Sequence, residues 1–103
     1  MFLVTSISMF RITKAFENES TSIFKIEGKV TDESLEVWSE EIRSLKNGAD
    51  RHTILDFSNV WFISSKAVSV LIDFASENVF LLNCPTETRN VLWSAGLAAR
   101  MIE

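Results

Sequence analysis

The chain has one cysteine (Cys84), one histidine (His52), one proline and three glycines among its 103 residues. A lone cysteine excludes a disulfide framework, and one Cys with one His cannot supply a Cys/His zinc set from a single chain. A reducing, cytoplasmic setting is therefore the expectation, with no metal and no cofactor. The scarcity of glycine and proline excludes collagen-like and Pro/Gly-rich disordered chains, and no glycine-rich phosphate loop is present. Positive charge is also in short supply: 10 Lys and Arg stand against 14 Asp and Glu, a formal net charge of -4. Such a balance provides no field to attract a phosphodiester backbone, so nucleic acid is not an expected partner. Long hydrophobic runs are missing too. Met1 to Phe10 is apolar but is interrupted by Thr5, Ser6 and Ser8 and lacks a basic leader, so it reads as neither a signal peptide nor a membrane span. Direct membrane insertion is not expected.

Hydrophobic residues nevertheless make up 47% of the sequence and charged residues 23%, the composition of a packed domain. A chain of this length holds one core, so residues 1–103 are read as a single domain. Phe10 to Glu17 and Thr21 to Glu27 alternate in hydrophobicity around the polar turn Asn18-Glu19-Ser20, a hairpin pattern that breaks at Gly28. Thr31 or Asp32 then caps a helix with Leu35, Trp38, Ile42 and Leu45 on one stripe and Asn47-Gly48 as its stop. Thr53 to Phe57 is apolar on both faces (Ile54, Leu55, Phe57), as the central strand of a sheet covered on both sides would be. After Ser58-Asn59, Val60 to Ile63 leads into Ser64-Ser65 and a second helix running to about Ser76. Val79 to Leu82 reads as another buried strand, and Asn83 to Thr86 ends it and caps a third helix through Trp93. Gly96 is placed for a left-handed stop with Leu97 as its apolar contact, and Arg100 to Glu103 adds a last short strand. The order β, β, α, β, α, β, α predicts an α/β domain with a mixed central sheet of about four to five strands, about three helices and right-handed crossovers.

The serine pair opens the second helix, where free amides and the positive dipole end favour an anion and Lys66 adds a cation. The residues leave two readings open: Ser64 or Ser65 is the helix N-cap, or a phosphate is carried there. The second helix presents Val68, Leu71, Ile72 and Ala75 on one stripe and Ala67, Val70 and Phe74 on another. The extra stripe is either covered by the first or third helix or forms a partner surface continuous with Trp61 and Phe62, residue types that interfaces favour as anchors. The expected binding surface comprises Trp61, Ser64, Ser65, Lys66, Ser69, Val70 and Asp73, with Asp56 as a strand-end acid placed to hydrogen-bond the Ser64-Ser65 loop. His52 has no base or nucleophile at a recognisable spacing and reads as a solvated turn residue; Cys84 reads as a small buried hydrophobe. The acids Asp32, Glu33, Glu36, Glu40 and Glu41 suit a helix start and a polar face, and no catalytic set assembles.

The run Leu55-Asp56-Phe57-Ser58-Asn59-Val60-Trp61-Phe62-Ile63-Ser64-Ser65 resembles the signature of the STAS domain (sulphate transporter and anti-sigma factor antagonist). In that family a strand ending in Asp-Leu-Ser leads through Phe-Ile-Asp-Ser to a helix. Gly28, the strand before Cys84-Pro85, and Ser94-Ala95-Gly96-Leu97 follow in the family's order, so the resemblance runs from about Phe10 to Glu103. The phosphorylatable antagonists carry Asp-Ser-Ser-Gly in this loop. The mapping puts Ser64 at the Asp, Ser65 at the phosphoacceptor, Lys66 at the second Ser and Ala67 at the Gly, so only the acceptor is kept, on a helix several residues shorter than usual. The resemblance implies a non-catalytic interaction module that docks a protein partner, typically an anti-sigma factor kinase, through Trp61 to Asp73, with Ser65 as the candidate phosphorylation site. A phosphate there would release a partner rather than recruit it. The alternative it leaves open is a constitutive adaptor or homo-oligomeric subunit of a signalling or membrane transport complex; a homodimer is compatible with either.

Overall fold

A computed structural model describes residues 9–45, 51–75 and 78–102. Strands β1 (Phe10–Glu17) and β2 (Thr21–Val30) form the hairpin, and helix α1 (Leu35–Ser44) follows a 3-10 turn at Asp32–Ser34. Strand β3 (His52–Ile63), helix α2 (Ser65–Phe74), strand β4 (Val79–Leu82), helix α3 (Thr86–Ser94), a 3-10 turn at Ala98–Arg100 and strand β5 (Met101–Ile102) complete the order. The five strands form one mixed sheet in sequential order, antiparallel only between β1 and β2. Right-handed crossovers that step always in the same direction place every helix on the same side of such a sheet.

That side is the core. Phe24 and Ile26 of β2, Leu55 and Phe57 of β3, and Leu81 of β4 are buried against Trp38 and Ile42 of α1, Val68 and Leu71 of α2, and Leu92 of α3. The hairpin turn is built by Asn18, whose Oδ1 accepts from the amides of Ser20 at 2.9 Å and Thr21 at 2.8 Å. At the strand ends of this turn, Glu17 pairs with Lys14 and Arg51. The hydrogen bond from Lys14, then the charges of Lys14 and Arg51, hold its carboxyl below the usual range.

Three local expectations are corrected. Strand β2 does not stop at Glu27 but continues through Gly28 to Val30. Gly28 has φ +103°, and a Cβ there would lie 2.2 Å from the Met9 carbonyl oxygen, which itself accepts from the Lys29 amide at 3.0 Å. The glycine stays in register within the strand, paired with Phe10 and Val60, at a point where another backbone approaches too closely for a side chain. The two apolar pieces around Ser58-Asn59 are likewise one strand, β3, with two register shifts against β2. Each shift inserts a residue, so Phe57, Val60 and Ile63 are all buried at intervals of three, where unbroken pleating would alternate at two. His52 opens β3 rather than standing in a turn; it is exposed, with its ring 5.9 Å from that of Phe80.

The remaining boundaries agree with the sequence reading to within a residue or two. Gly96 adopts φ +94° with Leu97 buried after it, Cys84 is buried, and β5 pairs with β4. Ser34 Oγ bonds the Thr31 backbone at both its amide and its carbonyl, closing the turn before α1. The expected Asn47-Gly48 stop and the Ser76 end of α2 lie outside the described residues.

Candidate functional site

The end of β3 and the first turns of α2 bring the expected residues together. Trp61 sits in the second register shift of β3, between the pairs Gly28↔Val60 and Lys29↔Phe62. A bulged residue is turned out of the ladder, and Trp61 is 62% exposed with Phe62 beside it at 46%. The Lys29 ammonium lies over the Trp61 ring, 5.4 Å from its centroid, a cation–π contact between adjacent strands. Sequence spacing gave no signal for Lys29, because only strand pairing makes it a neighbour.

Ser64 ties this strand end to the helix. Its amide donates to the Val30 carbonyl at 2.9 Å, and its Oγ accepts from the Ala67 amide at 3.2 Å, so Ser64 is the N-cap of α2. Ser65 is thereby left as the first helical residue, exposed at the positive dipole end with Lys66 exposed next to it. The Ser69 hydroxyl donates back to the Ser65 carbonyl at 3.2 Å. From within, Trp38 Nε1 donates to the Ala67 carbonyl at 3.0 Å, and Ala67 itself is fully buried. The inner side of the first turn is thus fixed by α1 while its outer side faces solvent.

Not every expected residue joins this surface in the expected way. Asp73 is exposed and Val70 only half-buried, and both line a groove between α1 and α2 that also takes in Ser39, Arg43 and Phe74. The Ala67, Val70 and Phe74 stripe is therefore mostly packing against α1. Ile72, expected on the stripe that covers the sheet, is instead 42% exposed. It lines a groove of about 550 Å³ between α2 and α3 with Ser65, Ser69, Asn90 and Val91. Helical geometry explains the difference: Val68, Leu71 and Ala75 share one line, and Ile72 stands one step of about 100° beyond Leu71. Asp56 lies inside β3, and its Oδ1 accepts from the Ser58 amide at 2.9 Å. It holds the first register shift of its own strand rather than the Ser64-Ser65 loop.

Among the described residues no group of three or more His, Cys, Asp or Glu converges to hold a metal ion, and no helix is long and apolar enough to cross a membrane. What the site offers chemically is an aromatic and cationic ledge (Trp61, Phe62, Lys29) beside a helix amino end with a free-standing hydroxyl, the makings of a contact surface.

The family model for the STAS domain matches residues 13–101. The chain belongs to the STAS family. Its fold agrees with solved STAS-type structures at low identity. The anti-sigma factor antagonist SpoIIAA in its unphosphorylated form is 18% identical, with a TM-score of 0.68 over 89% of this chain and 86% of that one. The Bacillus cell fate determinant SpoIIAA in its phosphorylated form is 20% identical, with a TM-score of 0.65 over 89% of each chain. The murine anion transporter Slc26a9, inward-facing, is 16% identical with a TM-score of 0.70; the match covers 92% of this chain and 20% of the transporter. No curated protein matches.

Proposed function

We propose that this STAS domain is a non-catalytic, cytoplasmic protein-interaction module of signal transduction and transcription regulation, resembling an anti-sigma factor antagonist. It docks a regulatory protein, of the anti-sigma factor kinase type, on the surface running from Trp61 through Ser64, Ser65, Lys66 and Ser69 to Asp73, with Val70 at its edge. The single observation that carries this reading is Trp61: a large aromatic held 62% exposed by a bulge, directly before an N-capped helix. Burying such a side chain gains ~2 kcal/mol or more at an interface centre, whereas leaving it in water gains nothing for the fold. The likeness to SpoIIAA, solved in phosphorylated and unphosphorylated forms, supports control by a phosphate, for which the exposed Ser65 hydroxyl at the start of α2 is the candidate position. A dianion there would meet the helix dipole and Lys66 but would repel an acidic partner or desolvate against an apolar one.

Affinity capture from the source cell with wild type and Trp61→Ala in parallel tests the surface: a regulator of kinase type should be held by the first and lost by the second. Equal recovery of all partners by both proteins would overturn it. The likeness to a domain within an anion transporter favours a second reading, a constitutive adaptor of a membrane transport complex. Incubation of the captured complex with ATP separates the two. Modification of Ser65 with release of the partner belongs to the switch, and a complex that persists without modification belongs to the adaptor.

A further inference from the structure

Covering Trp61 would cover a charge with it. The Lys29 ammonium lies 5.4 Å from the centroid of the indole, and Lys29 is itself half-buried, in register with Phe62. Among the described residues Lys29 has no ion pair. Glu27, the acid two positions earlier on β2, is taken by Arg11, and Lys14 and Arg51 share Glu17 at the hairpin. Lys25 stands in register with Asp56 farther down the same strands. Asp32 and Glu33 are exposed in the turn into α1 and form no ion pair with Lys29. The ring face of Trp61 is what Lys29 has in place of an anion.

We infer that the partner segment seated on Trp61 carries a carboxylate for Lys29, next to an aliphatic or aromatic side chain that packs on Trp61 and Phe62. The inference rests on the docking surface proposed above and adds the chemistry of what docks there. A partner that covers the indole also strips water from the ammonium stacked on it. The ring replaces only part of that hydration, and a buried ammonium without an anion is costly. An ammonium has three N–H donors, so one side can rest on the ring while another donates to a carboxylate. An uncharged segment would leave the charge unpaired, and a basic one would be repelled, so Lys29 selects among partners as well as binding them. The chain as a whole carries a net charge of -4, so the attraction for an acidic segment is local and a single charge reversal removes it. Such a segment is also one that a phosphate on Ser65 would repel, which makes like-charge repulsion the means of release.

Selection of displayed, randomised short peptides on the full wild-type chain tests this, with fluorescence anisotropy of the enriched peptides on each variant. Enriched peptides should carry Asp or Glu beside an aliphatic or aromatic residue. Their dissociation constants should rise about tenfold or more in Lys29→Met and in Trp61→Ala, further in Lys29→Glu, and little in Lys29→Arg, while circular dichroism melts stay those of a folded domain. Replacing the peptide's acid by Ala should weaken binding to wild type about as much, and should add little on Lys29→Met, because the two changes remove the same contact. Peptides that need Trp61 but lack an acid, or that bind Lys29→Met as well as wild type, would overturn the inference and leave the docking surface standing. A selection that enriches no peptide dependent on Trp61 would remove the docking surface and this inference with it.

Discussion

Two tryptophans, one packed on the start of α2 and one in the strand that leads into it, have opposite surroundings. Trp38 is fully buried, edge-on to Phe10 at a ring distance of 5.2 Å, with its indole N–H donating to the Ala67 carbonyl. Trp61 is 62% exposed, bulged out of its strand, and touches a lysine. A buried indole is retained for stability because its ring displaces water and its N–H is satisfied. An exposed one contributes little to folding, so its energy is available to a partner. Trp38 thus serves the fold, and Trp61 is the side chain the proposed docking would use.

The sharpest way to break this contrast is to remove the inner tryptophan. Trp38→Ala should cost about 3–5 kcal/mol by opening a cavity, and it takes the indole donor from the buried Ala67 carbonyl, which keeps only its place in the α2 ladder. In a domain with total stability of about 5–15 kcal/mol, that brings the protein close to unfolding in urea-melt measurements at room temperature. Trp38→Phe keeps most of the apolar volume and isolates the lost hydrogen bond, about 0.5–1.5 kcal/mol. A Trp38→Ala protein as stable as wild type would mean that α1 does not fix the start of α2. The next effect is smaller. Ser64→Ala should cost about 1 kcal/mol by freeing the Ala67 amide, while Ser65→Ala should leave the urea midpoint nearly unchanged. Reversal of that order would make Ser65 the cap and remove the argument that its hydroxyl is available for modification.

How much of this was legible in the sequence follows from where periodicity holds. Helix stripes such as Leu35, Trp38 and Ile42 and the apolar run Val79 to Leu82 carry unbroken periods, so α1 and β4 were readable. The stop at Gly96 was readable from residue type. Strand β3 was not readable as one element, because two inserted residues replace alternation with steps of three, and Asp56 was given a distant role when its carboxylate serves the bulge two residues on. The candidate site was read as one chain segment, Trp61 to Asp73, because its residues are contiguous. Contacts made through pairing or packing were not: Lys29 over Trp61, Trp38 on Ala67, and the outward turn of Ile72 toward Val91. The apolar character of Ile54 on the second face of β3 was read as a sign of two-sided cover, but among the described residues the helices cover only one side.

The outer tryptophan should show the smallest stability effect and so completes the contrast. Trp61→Ala removes only the minor, covered part of a mostly exposed side chain, opens no core cavity, and gives up an exposed cation–π contact worth about 0.5–1 kcal/mol in such settings. The bulge itself survives, because it is set by the register of Gly28 and Val60 and not by the indole. Urea midpoints of Trp61→Ala and wild type should therefore agree within about 1 kcal/mol, and the slope of the transition should not change. Pairing this with Trp38→Ala makes the comparison strict, since both substitutions delete the same atoms. If Trp61→Ala instead destabilised the domain by several kcal/mol, the exposed indole would be part of the fold, and the energy assigned to partner binding would already be committed within the monomer.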